Sequence, residues 1–147
     1  MTPSDPTGEP LPSDALRQYK EEVETYESLS DQETRLLFQH IAHTTSIQEK
    51  KILRDRMAKA YLSFVIDIAE SFTDIELILV DYIQEGNIAL LDAIEQYTAE
   101  TPVSFLEFCT PRIYAALQQY REEHPLPTPP NMQVPPVSTT YEGEEQE

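Results

Sequence analysis

Few side chains in this sequence are spaced to do covalent chemistry. His40 and His43 stand three apart in a segment of helical pattern, a separation at which two imidazoles can meet one metal ion, yet no cysteine or well-spaced carboxylate pair completes a ligand set. They read as surface or helix-end histidines. Cys109 is the single cysteine, so an internal disulfide is excluded, and its apolar run (residues 105–113) suits a buried small side chain. With 27 acidic side chains, carboxylate pairs arise by chance and identify no acid–base dyad. A Gly-rich phosphate loop and a nucleophile motif are both missing. The expectation is a non-enzyme, with no catalytic residue, no metal and no cofactor.

Binding chemistry is a different matter. Projected at about 100° per residue, the segment DYIQEGNIALLDAIEQY places Ile83, Leu90, Ile94 and Tyr97 on one side, facing a core. Asp81, Gln84, Glu85, Asp92 and Glu95 fall on the opposite side. Ile88 sits in the middle of that polar face, with Leu91 at its edge. A large apolar side chain ringed by carboxylates and amides has the layout of an interface centre, where the anchor is desolvated and the polar groups form a rim. The plainer account is an amphipathic helix with one stray exposed isoleucine, which is common. Gly86 weighs against it. Glycine costs roughly 1 kcal/mol in a helix interior, so its presence there implies a backbone lying close to another helix or to a partner.

The elements that hold this face are written in punctuation. Of twelve prolines, four fall within residues 1–12 and six within residues 125–136, whereas residues 13–123 hold two prolines and one glycine. The division predicts a disordered N-terminal segment (1–12), a helical domain (13–124) and a disordered, proline-rich acidic tail (125–147). The central part shows helical periodicity and few β-branched alternations, which predicts an all-α bundle of about five helices. Asp14 or Ser13 can cap the first, with Leu16, Tyr19 and Val23 on one stripe. Capping-box spacings at Ser30/Glu33, Thr73/Glu76 and Ser104/Glu107 predict the starts of the second, fourth and fifth. The third begins near Ser46 and carries a broad apolar stripe through Ala58, Tyr61, Leu62, Val65, Ile68, Ala69 and Phe72. No stretch is long and apolar enough to span a bilayer, and MTPSDPTGEP lacks the pattern of a signal peptide, so a cytoplasmic location away from membranes is expected.

Charge narrows the function classes. The formal net charge is −17, with 10 basic side chains. Free-standing duplex DNA binding is disfavoured, because nonspecific affinity rests on Lys and Arg neutralising phosphates. Half of the basic residues are Lys50, Lys51, Arg54, Arg56 and Lys59; after Lys59 none appears until Arg112, and that interval carries ten Asp and Glu residues. Such a one-sign face is ordinarily a solvated helix surface, and it also suits a basic partner.

From Asp14 to about Leu117 the sequence resembles the bacterial RNA polymerase sigma factors of the housekeeping class, over their conserved regions 1.2, 2.1, 2.2 and the start of 2.3. DALRQYKEEVETYESLSDQETRLLFQHI is similar to the first helices of that family, RMAKAYLSFVIDIA to the next, and DYIQEGNIALLDAIEQY to its most characteristic helix. The resemblance implies a region-two helical domain. It also implies docking of that characteristic helix on the beta-prime clamp coiled coil of RNA polymerase core, with Asp81, Gln84, Glu85, Asn87 and Leu91 at the matching positions and Ile88 between them. Carboxylates and amides at this spacing can receive charge-assisted bonds from partner arginines.

Departures from the family pattern are equally specific. Family members continue with a basic, aromatic segment that opens the −10 promoter element and stacks its flipped bases. Here that run is TAETPVSFLEFCTPRIYAALQQYREEH, in which Pro111 and Arg112 occupy the places of two adjacent tryptophans, and Tyr114 and Ala115 replace Arg and Gln. Phe105 and Phe108 suit core packing, and Pro125 stops the helix. Residues after 124 hold no helix-turn-helix pattern for a −35 element. Candidate DNA contacts are Lys50, Lys51, Arg54, Arg112 and Tyr114, to promoter DNA within a polymerase complex. The expected function is a sigma-like transcription protein that binds polymerase, with weakened or absent −10 recognition. It would act either as a minimal sigma factor aided by a second sigma-like subunit or as a mimic that blocks true sigma factors. The alternative is an acidic interaction protein, mimicking nucleic-acid charge, on the same scaffold.

Overall fold

Local signals decide where most of the helices begin. In the computed structural model, which describes residues 12–125, five α-helices succeed one another: α1 (Pro12–Glu24), α2 (Asp31–His43), α3 (Ile47–Glu70), α4 (Glu76–Gln96) and α5 (Phe105–Glu123). The fold is the expected all-α bundle. The expectations for the proline-rich ends fall on residues 1–11 and 126–147, outside the described residues.

Two of the three capping boxes form where the spacing predicts them. The Ser30 and Ser104 hydroxyls each accept a bond from the backbone N–H three residues on, while Glu33 and Glu107 reach back to accept from the cap N–H groups. Ser46 caps α3, its hydroxyl accepting from the Glu49 N–H at 3.1 Å. The third box does not form. Thr73 Oγ1 accepts instead from the Ile75 N–H at 3.1 Å, Ile75 takes the cap position without a side-chain bond, and Glu76 becomes the first helical residue. Thr73 is itself buried, so its hydroxyl is committed to tying down the turn between α3 and α4. At α1 the helix is described from Pro12, a residue that suits a first turn because the N–H it lacks would be unused there. Asp14 therefore lies inside the first turn.

Helix α4 is the axis of the bundle. Tyr82 packs edge-on against Tyr120 at 5.4 Å, whereas Tyr97, at the opposite end of α4, meets Phe108 at 5.3 Å, so α5 runs antiparallel to it. Phe72, just beyond α3, meets Tyr82, while Lys51 and Arg54 near the start of α3 lie beside Leu91 and Ile94; α3 is antiparallel to α4 as well. Helix α1 crosses the first half of α4, with Leu16 near Val80 and Tyr19 near Asn87. It is tied to α3 by the Lys20–Glu70 ion pair, and just beyond α1 Glu27 pairs with Arg56 of α3 at 3.1 Å. That pairing is bidentate, and the Arg56 guanidinium holds the Glu27 carboxyl below its usual range.

The predicted stripes are the core. Ile83, Leu90, Ile94 and Tyr97 are buried, as are Val65, Ile68 and Ala69 of α3 and Leu37 and Ile41 of α2; Leu62 and Phe72 are half-buried. An aromatic cluster closes the end of the bundle where α2, α4 and α5 converge: Phe38 lies 4.7 Å from Tyr97 and 5.3 Å from Phe105, and Tyr61 meets Phe105 edge-on at 5.0 Å. Its polar atoms are satisfied. Tyr97 donates to the Val103 carbonyl at 2.5 Å, Arg35 donates to the Ala99 carbonyl at 2.7 Å, and the hydroxyls of Thr34 and Tyr61 share a bond of 2.9 Å.

Gly86 marks the tightest approach. A Cβ placed there would stand 2.6 Å from Val65 Cγ1, with Ile113 Cγ2 at 3.7 Å, and Val65 is fully buried and stiff at χ1. Gly86→Ala is expected to destabilise the domain. Overpacking of about 1–3 kcal/mol exceeds the roughly 1 kcal/mol that alanine gains in helix propensity. Denaturant unfolding of Gly86→Ala, Val65→Ala and the double variant should show strong favourable coupling, since removing the Val65 methyls opens the space that the added methyl at position 86 needs; simple additivity would refute the contact. Burial likewise pushes the Cys109 thiol up to about 11. A disulfide reagent at pH 8 should therefore react with native protein far more slowly than with unfolded protein, and equal rates would contradict the packing.

Candidate protein-docking surface

With α1, α3 and α5 packed around it, α4 keeps one open ridge. Along that ridge Asp81, Gln84, Asp92 and Glu95 are exposed and Glu85 is half-buried. Ile88 is 60% exposed and Leu91 52%, values that make both side chains available to a partner. Neither replaces a missing core contact, because the core face of the same helix is complete.

Asn87 is placed differently from its neighbours. It turns toward α1, where its Nδ2 donates to the Tyr19 hydroxyl at 3.2 Å, while its Oδ1 is buried without a hydrogen-bond partner. A buried, unbonded amide oxygen costs about 1–3 kcal/mol. The open ridge thus comprises Asp81, Gln84, Glu85, Ile88 and Leu91, and Asn87 lies at its shaded margin.

Three hollows border the ridge. Between α1 and α4 lies a mostly apolar groove of ≈ 390 Å³, lined by Ala15, Leu16, Tyr19, Leu77, Val80 and Gln84 among others. Between α4 and α5 lies a furrow of ≈ 400 Å³, with Glu85, Ile88 and Asp92 on one bank and Arg112, Ala115, Ala116 and Gln119 on the other. The short alanine side chains leave this furrow open. Beside the far end of α4, Lys51, Arg54 and Asp55 face Leu91, Ile94 and Glu95 across a hollow of ≈ 320 Å³.

The ridge is strongly negative. Burial, and then the adjacent carboxylates of Asp81 and Glu85, hold the Tyr120 phenol above its ordinary range. Carboxylates and amides around an apolar centre have the chemistry to accept bonds from arginines, an arrangement suited to protein docking.

The candidate DNA contacts do not form one surface. Lys51 and Arg54 adjoin the far end of α4, with Lys50 one residue away on α3. Arg112 lies in the α4–α5 furrow, its guanidinium 3.7 Å from the centre of the Phe108 ring and donating to the Phe108 carbonyl at 3.3 Å. Tyr114, two residues on and therefore on another side of α5, approaches Phe72 at 6.0 Å. Phe105 is buried and Phe108 half-buried in the aromatic cluster. His40 and His43 point to separate partners, Glu49 at 3.1 Å and the Gln39 carbonyl at 2.7 Å.

Leu77, Tyr19, Ala115 and Ala116 border the ridge but do not emerge from sequence reasoning. Leu77 had a signal, since it stands seven and eleven residues before Gln84 and Ile88, on the same side of an ideal helix. Tyr19 and the alanines come from other helices and acquire their place only through packing.

Among the described residues, no helix is long and apolar enough to cross a membrane. Residues 57–124 match the family model of sigma-70 region 2. The match takes in the second part of α3 and all of α4 and α5, and leaves α1 and α2 outside it. The ridge of α4 and the furrow beside α5 both lie within the residues that match sigma-70 region 2.

Proposed function

We propose that the protein acts in transcription initiation by docking the α4 ridge on the clamp coiled coil of the beta-prime subunit of RNA polymerase core, while reading the −10 element weakly or not at all. The sigma-70 region 2 match supports a transcription role and contact with polymerase core in general. The observation that carries the more specific reading is Ile88, 60% exposed at the centre of a ring of Gln84, Glu85, Leu91 and Asp92. Desolvating such an anchor within a polar rim concentrates binding energy in a few side chains. Asp81, Gln84 and Glu85 supply acceptors for cationic groups of the coiled coil, Leu91 extends the apolar contact, and Asn87 contributes once Tyr19 yields.

Weak promoter reading comes from the same geometry. Opening and stacking a −10 element needs cations for phosphates and free aromatic faces together. Phe105 is committed to the core, Phe108 is covered on one side by Arg112, and Tyr114 lies apart from the cluster at Lys50, Lys51 and Arg54. Promoter DNA is then engaged only inside a polymerase complex, where the polymerase or a second sigma-like subunit provides the missing contacts.

Ile88→Glu should weaken binding to purified core polymerase by at least about tenfold, the scale set by loss of an interface anchor, with the helical content unchanged. Gln84→Ala combined with Glu85→Ala should weaken it less and flatten its salt dependence. Undiminished binding by Ile88→Glu would overturn the site, and capture of another basic protein through that change would favour the nucleic-acid-mimic reading. In transcription assays, addition of this protein to polymerase with a housekeeping sigma factor should lower that factor's transcripts in proportion to occupancy. Efficient initiation from a −10 promoter by this protein alone would refute weakened promoter reading.

A further inference from the structure

The ten basic side chains are unequally employed. Arg17, Lys20, Arg56 and Lys59 pair with carboxylates, Arg35 donates to the Ala99 carbonyl, and Arg112 and Arg121 cover the rings of Phe108 and Phe72. The remaining three, Lys50, Lys51 and Arg54, make no ion pair among the described residues. They sit within five residues on one helix, and the buried Nε of Arg54 has no hydrogen-bond partner. A buried donor without an acceptor is costly, and a carboxylate that draws the guanidinium outward relieves that cost.

Their place on α3 explains why they are left over. Residues 47, 51, 54, 58, 61 and 65 recur at alternating spacings of four and three, which puts them on one stripe of the helix. Ala58, Tyr61 and Val65 are buried in the core. Toward the start of α3 the same stripe becomes Ile47, Lys51 and Arg54: Ile47 is 83% exposed, Lys51 is exposed and Arg54 is half-buried. The change follows the length of α4, whose last helical residue is Gln96. Lys51 and Arg54 face its final turns across the hollow of ≈ 320 Å³ that Leu91, Ile94 and Glu95 also line. A core stripe thus runs out into solvent carrying an aliphatic side chain and cations without ion-pair partners among the described residues.

We propose that this face, at the start of α3, binds an acidic segment of a partner protein in which aliphatic side chains stand between carboxylates. Lys50, Lys51 and Arg54 supply charge-assisted bonds, and the Arg54 guanidinium has the fork geometry that holds a carboxylate at two points. Exposed ion pairs alone bind weakly, so the contact also needs Ile47 and Leu91 to cover aliphatic groups of the segment. A nucleic-acid backbone fits less well. It offers those two side chains nothing aliphatic, and Glu95 in the same hollow repels phosphates, whereas a peptide can turn an amide toward it. A second copy of this chain also carries acidic surface, but two chains of net charge −17 repel each other. The face attracts anions where the α4 ridge attracts cations, and the two meet only at Leu91. It is therefore a separate site, and it stands without the polymerase-docking reading.

Titration of the isotope-labelled full chain with synthetic peptides, followed through its amide signals, tests the assignment. A capped peptide of about ten residues, with leucines set between glutamates, should shift the signals of residues 47–54 and 91–95. Serine in place of its leucines should weaken binding about three- to tenfold, and equal affinity would overturn the aliphatic contact on which the proposal depends. Lys50→Glu combined with Lys51→Glu should weaken binding of the leucine peptide at least about tenfold at ~0.05 M salt, with helical content unchanged. Ile47→Ser should weaken it about threefold and leave the serine peptide unaffected. Absence of shifts, shifts confined to other residues, or binding that survives the charge reversal would each sink the site. So would a single-stranded or duplex oligonucleotide of the same net charge that binds these residues as tightly as the peptide, which would give the face to nucleic acid. A dimer of the peptide-free chain in sedimentation, dissolved by the same charge reversal, would give it to a second copy and overturn the assignment to a partner.

Discussion

The approach of α3 to α4 at Gly86 sets the geometry of this domain. With no side chain at that position, the buried Val65 can press against the α4 backbone, and Ile113 and Leu117 of α5 close in from the other helix. Three neighbours can then share one central helix. Their packing consumes most of its circumference and leaves one outward strip among the described residues, along which Leu77, Ile88 and Leu91 stay exposed.

That strip has a mixed character with a physical origin. The core face of α4 is filled by Ile83, Leu90 and Ile94, so nothing in folding requires Ile88 or Leu91 to be apolar. Their neighbours Asp81, Glu85, Asp92 and Glu95 contribute mutual repulsion that the fold does not relieve. Both features cost stability or solubility in isolation and become favourable against a cationic, partly apolar partner. Four basic side chains bind carboxylates in other parts of the surface, and Lys51, Arg54 and Arg112, which border the strip across its flanking hollows, make no ion pair with it among the described residues.

Much of this organisation is legible in the sequence because helices of this kind are specified locally. Ser30 with Glu33 and Ser104 with Glu107 announce their helices through hydrogen bonds that span three residues, and the stripe on α4 is read by projection alone. The spacing at Thr73 and Glu76 is identical yet yields no box, since burial of Thr73 turns its hydroxyl to the Ile75 N–H; a tertiary contact overrides a local one. The site divides in the same way. Ile88, Gln84 and Glu85 are visible from one helix. The withdrawal of Asn87 beneath Tyr19 and the furrow walls at Ala115 and Ala116 depend on how separate helices meet, which no single-helix pattern encodes. The scatter of Lys51, Arg112 and Tyr114 over different surfaces has the same cause.

The chain path through the bundle has a kinetic consequence. Helices α3, α4 and α5 are consecutive, antiparallel neighbours, and the central contacts at Gly86 join residues from three successive elements. Contacts between near neighbours in sequence need little loop closure before they form, which places such a topology among domains that fold in microseconds to milliseconds. The ridge of α4 is therefore built by elements that follow one another directly in the chain, and the packing that defines it is complete once α5 is in place.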